Sequence, residues 1–156
     1  MKKADIKFMQ EALKLALQAS SRDEVPVGAV VEYENKIIGK GYNQVEMLKD
    51  PTAHAEMIAI TSATSYLKSK WLNKCTLYVT IEPCSMCAGA LVLARIGRVV
   101  FGASDSKAGA FGSKLDINQL KLNHKINVKK GILENDCSQV MKEFFRKKRL
   151  EKLYSR

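Results

Sequence analysis

With 156 residues and 17.4 kDa the chain is sized for one domain, and a domain near this length buries roughly 68–70% of its unfolded surface, so it needs no disulfide staples to fold. A composition of 46% hydrophobic and 27% charged residues is that of a soluble globular protein; no apolar run approaches the ~18 residues of a membrane span, and Met1–Asp5 opens an amphipathic pattern instead of a signal-peptide segment, so a cytoplasmic protein is expected. The net charge of +10 is uneven, with 11 basic and 9 acidic side chains in residues 1–78 against 15 and 7 in residues 79–156, a distribution that suits a polyanion such as nucleic acid and a merely solvated basic surface equally well.

In chain order, Phe8, Met9, Ala12, Leu13, Ala16 and Leu17 recur at helical spacing and predict an amphipathic helix over 5–21. The apolar run 25–31 predicts a strand, Glu34-Asn35 a turn, and 36–42 a second strand, together a hairpin. Residues 43–51 form a loop ending in Asp50-Pro51-Thr52, a helix-start signal, and a helix is expected from about His54 to Lys68. Leu77–Ile81 is β-branched and aromatic and reads as a strand; Pro83 ends it, and 84–96, rich in Ala, Leu and Val, reads as a helix.

Residues 98–103 predict another strand, followed by a flexible segment with Gly102, Gly109 and Gly112 that matches no phosphate-binding loop. A fifth strand is expected within 126–133 and a last helix over about 137–154. Strands alternating with helices after residue 50 imply parallel crossovers, hence an α/β class with a mixed sheet. The last helix carries an apolar stripe, Val140, Met141, Phe144 and Phe145, expected to dock on the core. Arg146-Lys147-Lys148-Arg149 then sweeps charge around a full turn, and Leu150, Leu153 and Tyr154 fall out of phase with the stripe. The helix end therefore either faces a partner, such as an RNA backbone, or is a solvated terminus.

Two stretches carry the chemistry, His54-Ala55-Glu56 and Pro83-Cys84-Ser85-Met86-Cys87. One imidazole and two sulfurs supply three of the four tetrahedral ligands of zinc, and an open fourth position marks a catalytic site. Water there loses a proton near neutral pH, with Glu56 as the proton carrier. Both stretches fall where helices begin; the partial positive charge of a helix N-terminus favours thiolate over thiol. Cys84 and Cys87, three apart, share one helical face. Residues two apart on a regular helix do not, so Glu56 reaches the same water only if His54 sits at the very first turn.

The alternatives are a redox dithiol at Cys84 and Cys87, or a structural zinc with Cys75, Cys137 or His124 as fourth ligand. No other thioredoxin-like feature accompanies the former, and none of the latter three has a paired spacing. Cys75 and Cys137 are expected as small core residues, and His124 as a structural or surface group.

The H-x-E…P-C-x-x-C pattern is that of the zinc nucleobase deaminases. More closely, His54–Met57 with Glu82–Ala90, together with 25–30, 98–102, 105–113 and 122–124, resembles the bacterial tRNA-specific adenosine deaminase family over nearly the whole chain. The resemblance implies a cytidine deaminase-like, three-layer α/β/α fold with a mixed five-stranded sheet, one zinc-dependent domain over residues 1–156, and one Zn2+ per subunit. It implies a homodimer whose two subunits shape each active site, and a tRNA anticodon stem-loop as partner. The reaction would be hydrolytic deamination of the wobble adenosine of an arginine tRNA to inosine. It assigns zinc binding to His54, Cys84 and Cys87, proton transfer to Glu56, and substrate contacts to Asn43, Asp105 and Asn123. The basic run Arg146, Lys147, Lys148 and Arg149 would meet the RNA backbone. The same zinc pattern also serves deaminases of cytidine, deoxycytidylate or guanine, and a non-enzymatic zinc-stabilised RNA-binding module would carry the ligands without needing Glu56.

Overall fold

A computed structural model describes residues 2–155. Helix α1 (Lys3–Ser21) leads into a hairpin, β1 (Gly28–Tyr33) and β2 (Lys36–Tyr42), then α2 (Val45–Leu48) and α3 (Ala55–Leu67). There follow β3 (Thr76–Ile81), α4 (Ser85–Leu93), β4 (Arg98–Ala103), a 3-10 turn at Ile117–Leu120, β5 (Asn127–Lys130) and α5 (Glu134–Tyr154). The sheet order is β2-β1-β3-β4-β5. β1 is antiparallel to both β2 and β3, while β3, β4 and β5 run parallel. The sheet is therefore mixed and five-stranded.

Side chains on a strand alternate faces, and the central strands use both. Leu77, Val79, Val99 and Phe101 pack with Ala59, Ala63 and Leu91 on the face covered by α3 and α4. Tyr78 and Val100 pack with Phe8, Met9 and Cys137 on the face covered by α1 and α5. These two cores make the three layers. Cys75 and Cys137 are buried members of them, as expected for unreactive thiols.

Two glycines let the helices come close enough. A Cβ at Gly28 would lie 2.0 Å from the Ala12 carbonyl oxygen, so glycine there seats α1 on β1. A Cβ at Gly41 would lie 2.2 Å from the carbonyl oxygen of Ala55. Glycine at 41 thus fixes the height of the first turn of α3, which carries His54 and Glu56. At the amino ends of the parallel strands, Asp5 is buried and accepts from the Tyr78 hydroxyl at 2.8 Å, from both Arg98 nitrogens at 2.9 and 2.8 Å, and from Lys129 at 3.2 Å. Arg98 holds its carboxyl well below the usual range against the opposing effect of burial, with Tyr78 and Lys129 adding to it.

The structure corrects several expected boundaries. β1 begins at Gly28, three residues after Val25, because Pro26 has no N–H for the ladder and the Val27 amide turns back to the Val25 carbonyl. The loop 43–51 holds α2, whose Glu46 and Met47 amides are capped by the distant Glu24 carboxylate at 2.9 and 2.7 Å. α4 stops at Leu93, before Arg95 turns left-handed at φ 52. β5 ends at Lys130 because Gly131 adopts φ 88, and α5 starts at Glu134, earlier than Cys137. Leu17 on α1 and Phe145 on α5 are exposed instead of docked.

Candidate metal centre and catalytic cavity

His54 and Cys84 occupy the same kind of position. Each is the residue just before a helix, extended, with φ −74 and ψ 152 for His54 and φ −74 and ψ 176 for Cys84. Neither side chain caps its own helix; they turn toward each other. Cys87 lies buried one turn into α4. His54 Nδ1 is 3.6 Å from Cys84 Sγ and 3.5 Å from Cys87 Sγ. A tetrahedral ion with Zn–N near 2.05 Å and Zn–S near 2.3 Å requires an N···S edge of about 3.6 Å. The donors therefore already stand at the spacing a zinc ion would demand, and Nδ1 is the imidazole nitrogen that faces the two sulfurs. All three donor atoms lie within 4.8 Å of one another, and among the described residues no other His, Cys, Asp or Glu joins the group. Cys75 and Cys137 are buried elsewhere in the two cores, and His124 Nε2 pairs with the Ile96 carbonyl at 2.6 Å. A fourth protein ligand is thus lacking among the described side chains, so an ion held by these three would have one position left for solvent.

The electrostatics fit a cation. Hydrogen bonds from Cys87 and His54 pull the Cys84 thiol down to about 3. The hydrogen bond to Cys84, reinforced by burial, pushes Cys87 up, and the bond to Cys84 raises His54. Three donor atoms converge there. A divalent ion would take all three as ligands, both sulfurs as thiolates.

Glu56, second residue of α3, is buried and lines the same cavity as His54 and Cys84. Burial raises its pKa to about 7, against the lowering effect of its own backbone amide and of Cys87. A carboxyl poised there takes and returns a proton near neutrality. The cavity measures about 1030 Å³, at the upper end of the range for small-molecule sites. His54, Glu56, Cys84, Asn43 and Asp105 line it, together with Met141, Phe144 and Phe145 of α5.

The other sequence-predicted residues divide. Asn43 is buried in the cavity side, its amide nitrogen donating to the Val25 carbonyl at 3.2 Å and its oxygen accepting from the Val45 amide at 3.3 Å. One N–H and one lone pair remain for a ligand. Asp105 lines the cavity with Oδ1 held by the Lys107 and Ala108 amides at 3.0 and 3.2 Å. Asn123 is exposed and does not line the cavity; its backbone carbonyl accepts from Arg95 at 3.4 Å. Of the basic run, Lys148 reaches the cavity rim and pairs with Asp23. Arg146 pairs with Glu143 at 3.0 Å, and Lys147 and Arg149 are exposed.

Sequence reasoning missed Glu24 and Glu82. Glu82 is buried and accepts from the Asp105, Phe111 and Ser113 amides at 3.0, 2.9 and 3.2 Å, and from the Ser113 hydroxyl. Burial pushes its pKa up, but these bonds outweigh it and hold the carboxyl below its ordinary value. Glu82 thereby fastens the 105–113 loop over the cavity, and a Cβ at Gly109 would lie 2.3 Å from its carboxyl carbon. The signal was an acidic residue at the end of the apolar strand β3, directly before Pro83, where a charge must find donors.

A MafB19-like deaminase family model matches residues 3–149. The chain is similar to a tRNA-specific adenosine deaminase of Haemophilus influenzae, 48% identical over 150 residues that cover 95% of this chain and 87% of the relative. A solved tRNA:A34 deaminase, concerned with A-to-I editing at the wobble position of transfer RNA, superposes with a TM-score of 0.79 at 38% identity, covering 86% of this chain and 98% of the other. A guanine deaminase from Bacillus subtilis superposes with a TM-score of 0.63 at 33% identity, covering 81% and 83%.

Proposed function

The chain belongs to the MafB19-like deaminases and, within them, to the tRNA-specific adenosine deaminases, and from that membership we propose that it converts the wobble adenosine of an arginine tRNA anticodon to inosine with one zinc ion per subunit. The observation that carries the reading is the triangle of His54 and the two cysteines, with N···S edges of 3.6 and 3.5 Å, beside the buried carboxyl of Glu56. The donor set fits zinc, and His54 Nδ1, Cys84 Sγ and Cys87 Sγ would hold it. When bound, zinc lowers the pKa of water and so supplies a nucleophile at neutral pH.

The chain's own part is proton traffic and placement. Glu56 takes a proton from the attacking water and delivers it to the adenine ring nitrogen; it then takes the second proton from the new C6 hydroxyl and gives it to the leaving amine, so that the C6–N bond breaks, ammonia departs and the C6 carbonyl of inosine remains. Asn43 offers its spare amide N–H and lone pair to the flipped nucleotide, and Asp105 borders the same space. A target base must leave its stack, so an unpaired anticodon loop is the least costly substrate. Phe145 presents an exposed ring at the cavity wall for a base of that loop. Arg146, Lys147, Lys148 and Arg149 follow on the same helix to meet phosphates. Asn123 lies outside its own subunit's cavity, so within one subunit it makes no contact to the flipped nucleotide, and the homodimer is proposed from family membership alone. No described helix is long and apolar enough to cross a membrane, and a tRNA enzyme of this kind acts in the cytoplasm.

The second reading, deamination of a free base, is favoured by the guanine deaminase likeness. Incubation with an anticodon stem-loop and with free guanine separates the two. Inosine in the stem-loop, with one zinc per chain by metal analysis, is expected. Ammonia from guanine with the stem-loop untouched overturns the tRNA reading.

A further inference from the structure

We propose that the amino-terminal ends of β3, β4 and β5 form a second RNA surface, which holds the body of the tRNA beyond its anticodon loop. The idea rests on the reading of the protein as a tRNA enzyme. The cavity lies at the opposite, carboxyl ends of β3 and β4, past Ile81 and Ala103, and a six-residue strand separates the two ends by about 20 Å.

The first argument is charge. Between residues 57 and 133 the acidic side chains are Glu82, Asp105 and Asp116. Glu82 and Asp105 belong to the cavity, and Asp116 caps the 3-10 turn through the Asn118 amide. Three segments of this acid-poor stretch converge at the amino ends. The Leu72 amide donates to the Ala94 carbonyl at 2.7 Å, the Asn127 amide to the Gly97 carbonyl at 3.4 Å, and Arg95 to the Asn123 carbonyl at 3.4 Å. They bring together Lys68, Lys70, Lys74, Arg95, Lys121 and Lys125, half-buried for Arg95 and exposed for the rest. Asp5, the buried acid at this end, is consumed by Arg98 and Lys129. Glu32 pairs with Thr76 at the amino end of β3 and bounds the basic cluster on the β1 side, with Glu34 in the β1–β2 turn beyond it. Cations at helix C-termini stabilise the helix dipole, which accounts for Lys68 after α3 and Arg95 after α4. It does not account for Lys70, Lys74, Lys121 or Lys125.

The second argument is Trp71, 41% exposed. Lys70 Nζ lies 4.6 Å and the Arg95 guanidinium 5.1 Å from its ring centroid. An exposed aromatic flanked by cations is the arrangement that stacks a nucleobase while neutralising its phosphates. Folded RNA offers both groups at once; an acidic polypeptide offers only the charge.

The test combines binding and turnover on two RNAs, a short anticodon stem-loop and a whole tRNA. One variant carries Lys70→Gln, Lys74→Gln, Lys121→Gln and Lys125→Gln; a second is Trp71→Ala. Inosine formation by the wild type on the stem-loop reads the parent proposal independently. If the surface holds the tRNA body, the fourfold variant binds whole tRNA at least about 10-fold more weakly, and the slope of log K against log salt flattens by about 3. Trp71→Ala loses about 5-fold or more, and both variants keep wild-type turnover and affinity on the stem-loop. Unchanged affinity and salt slope for whole tRNA overturn the proposal. So does a loss confined to binding of polyglutamate, which assigns the surface to a protein partner.

Discussion

Two buried carboxyl groups at opposite ends of the molecule are treated in opposite ways. At the amino ends of the strands Asp5 is surrounded by donors, the Tyr78 hydroxyl, the forked Arg98 and Lys129, and its pKa is driven down, chiefly by Arg98. At the carboxyl ends Glu56 is buried with no cationic side chain bonded to it; burial lifts its pKa to about 7. A saturated buried charge locks structure, while one left short of partners inside a cavity stays chemically responsive. The fold places its most buried ion pairs far from the cavity and leaves the cavity carboxyl, the proposed proton carrier, without a cationic side chain bonded to it.

The hardest blow to that comparison is at Glu56. Glu56→Gln removes the proton carrier and keeps the shape, so turnover on a stem-loop falls by about 10²–10⁴-fold. Zinc content and RNA affinity stay at wild-type levels, and the melting temperature does not drop, since an under-partnered buried carboxyl contributes little to stability. Retained turnover removes Glu56 from the reaction. Chelation of the metal is expected to give an equal loss of turnover, restored by added zinc, with the apo protein melting lower because the ion binds the folded state alone.

Asp5→Asn tests the other member. Removing one partner of a buried pair costs about 3–5 kcal/mol, and the lower figure applies because Arg98 and Lys129 keep some contact with solvent. Turnover per folded molecule is unchanged. The pH dependence carries the same signature. Asp5 has a folded pKa depressed below its unfolded value near 3.9, so the unfolded chain binds more protons as the solution becomes acid. Its stabilisation is complete above about pH 4 and drains away as pH falls further. Urea midpoints of the wild type should therefore decline below about pH 4, and the part due to Asp5 should vanish in the difference from Asp5→Asn.

The two ends also differ in how plainly they could be read from sequence. The three candidate metal donors lie in two short motifs, and each motif ends a loop or strand where a helix begins, so local pattern pointed to their convergence and to the non-helical setting of His54. The strands β2 and β4 were legible in full because their residues alternate or are β-branched and flanked by turns. What stayed hidden depends on partners far along the chain. α2 is only four residues long and exists because Glu24 caps it from about twenty positions away. Glu82 gains its meaning from the amides of a loop that sequence alone leaves unplaced. Asn123 sits beside motif residues in the chain but outside the cavity in space. Phe145 shares the apolar stripe of α5, yet the helix turns it outward while Phe144 takes the core position.

Glu82 stands between the extremes, a saturated carboxylate that belongs to the cavity. Glu82→Gln forfeits the charge and one acceptor, and each hydrogen bond to an ionised group is worth about 1.5–3 kcal/mol. Both stability and turnover should fall, because the 105–113 loop loses its anchor. Amide exchange separates this from a general loss of fold: Asp105, Phe111 and Ser113 should lose protection while β3 and β4 keep theirs. Uniform loss across the sheet would make Glu82 an ordinary core residue.

The smallest expected effect falls on α5. Phe145 is 42% exposed and touches Phe144 edge-on at 5.3 Å between ring centroids, so Phe145→Ala should lower stability by less than about 1 kcal/mol. Its outward ring borders the cavity, and a base stacked on it would contribute about 1–3 kcal/mol. KM for the stem-loop should then rise about 5-fold or more, with kcat nearly constant, because a stacking contact made equally in ground and transition states affects binding alone. Phe144→Ala gives the reverse pattern, a lower melting temperature, since Phe144 is the ring held in the core. If both variants lose only stability, α5 is a structural brace, and the substrate must be gripped by Asn43 and the loop beyond Asp105 instead.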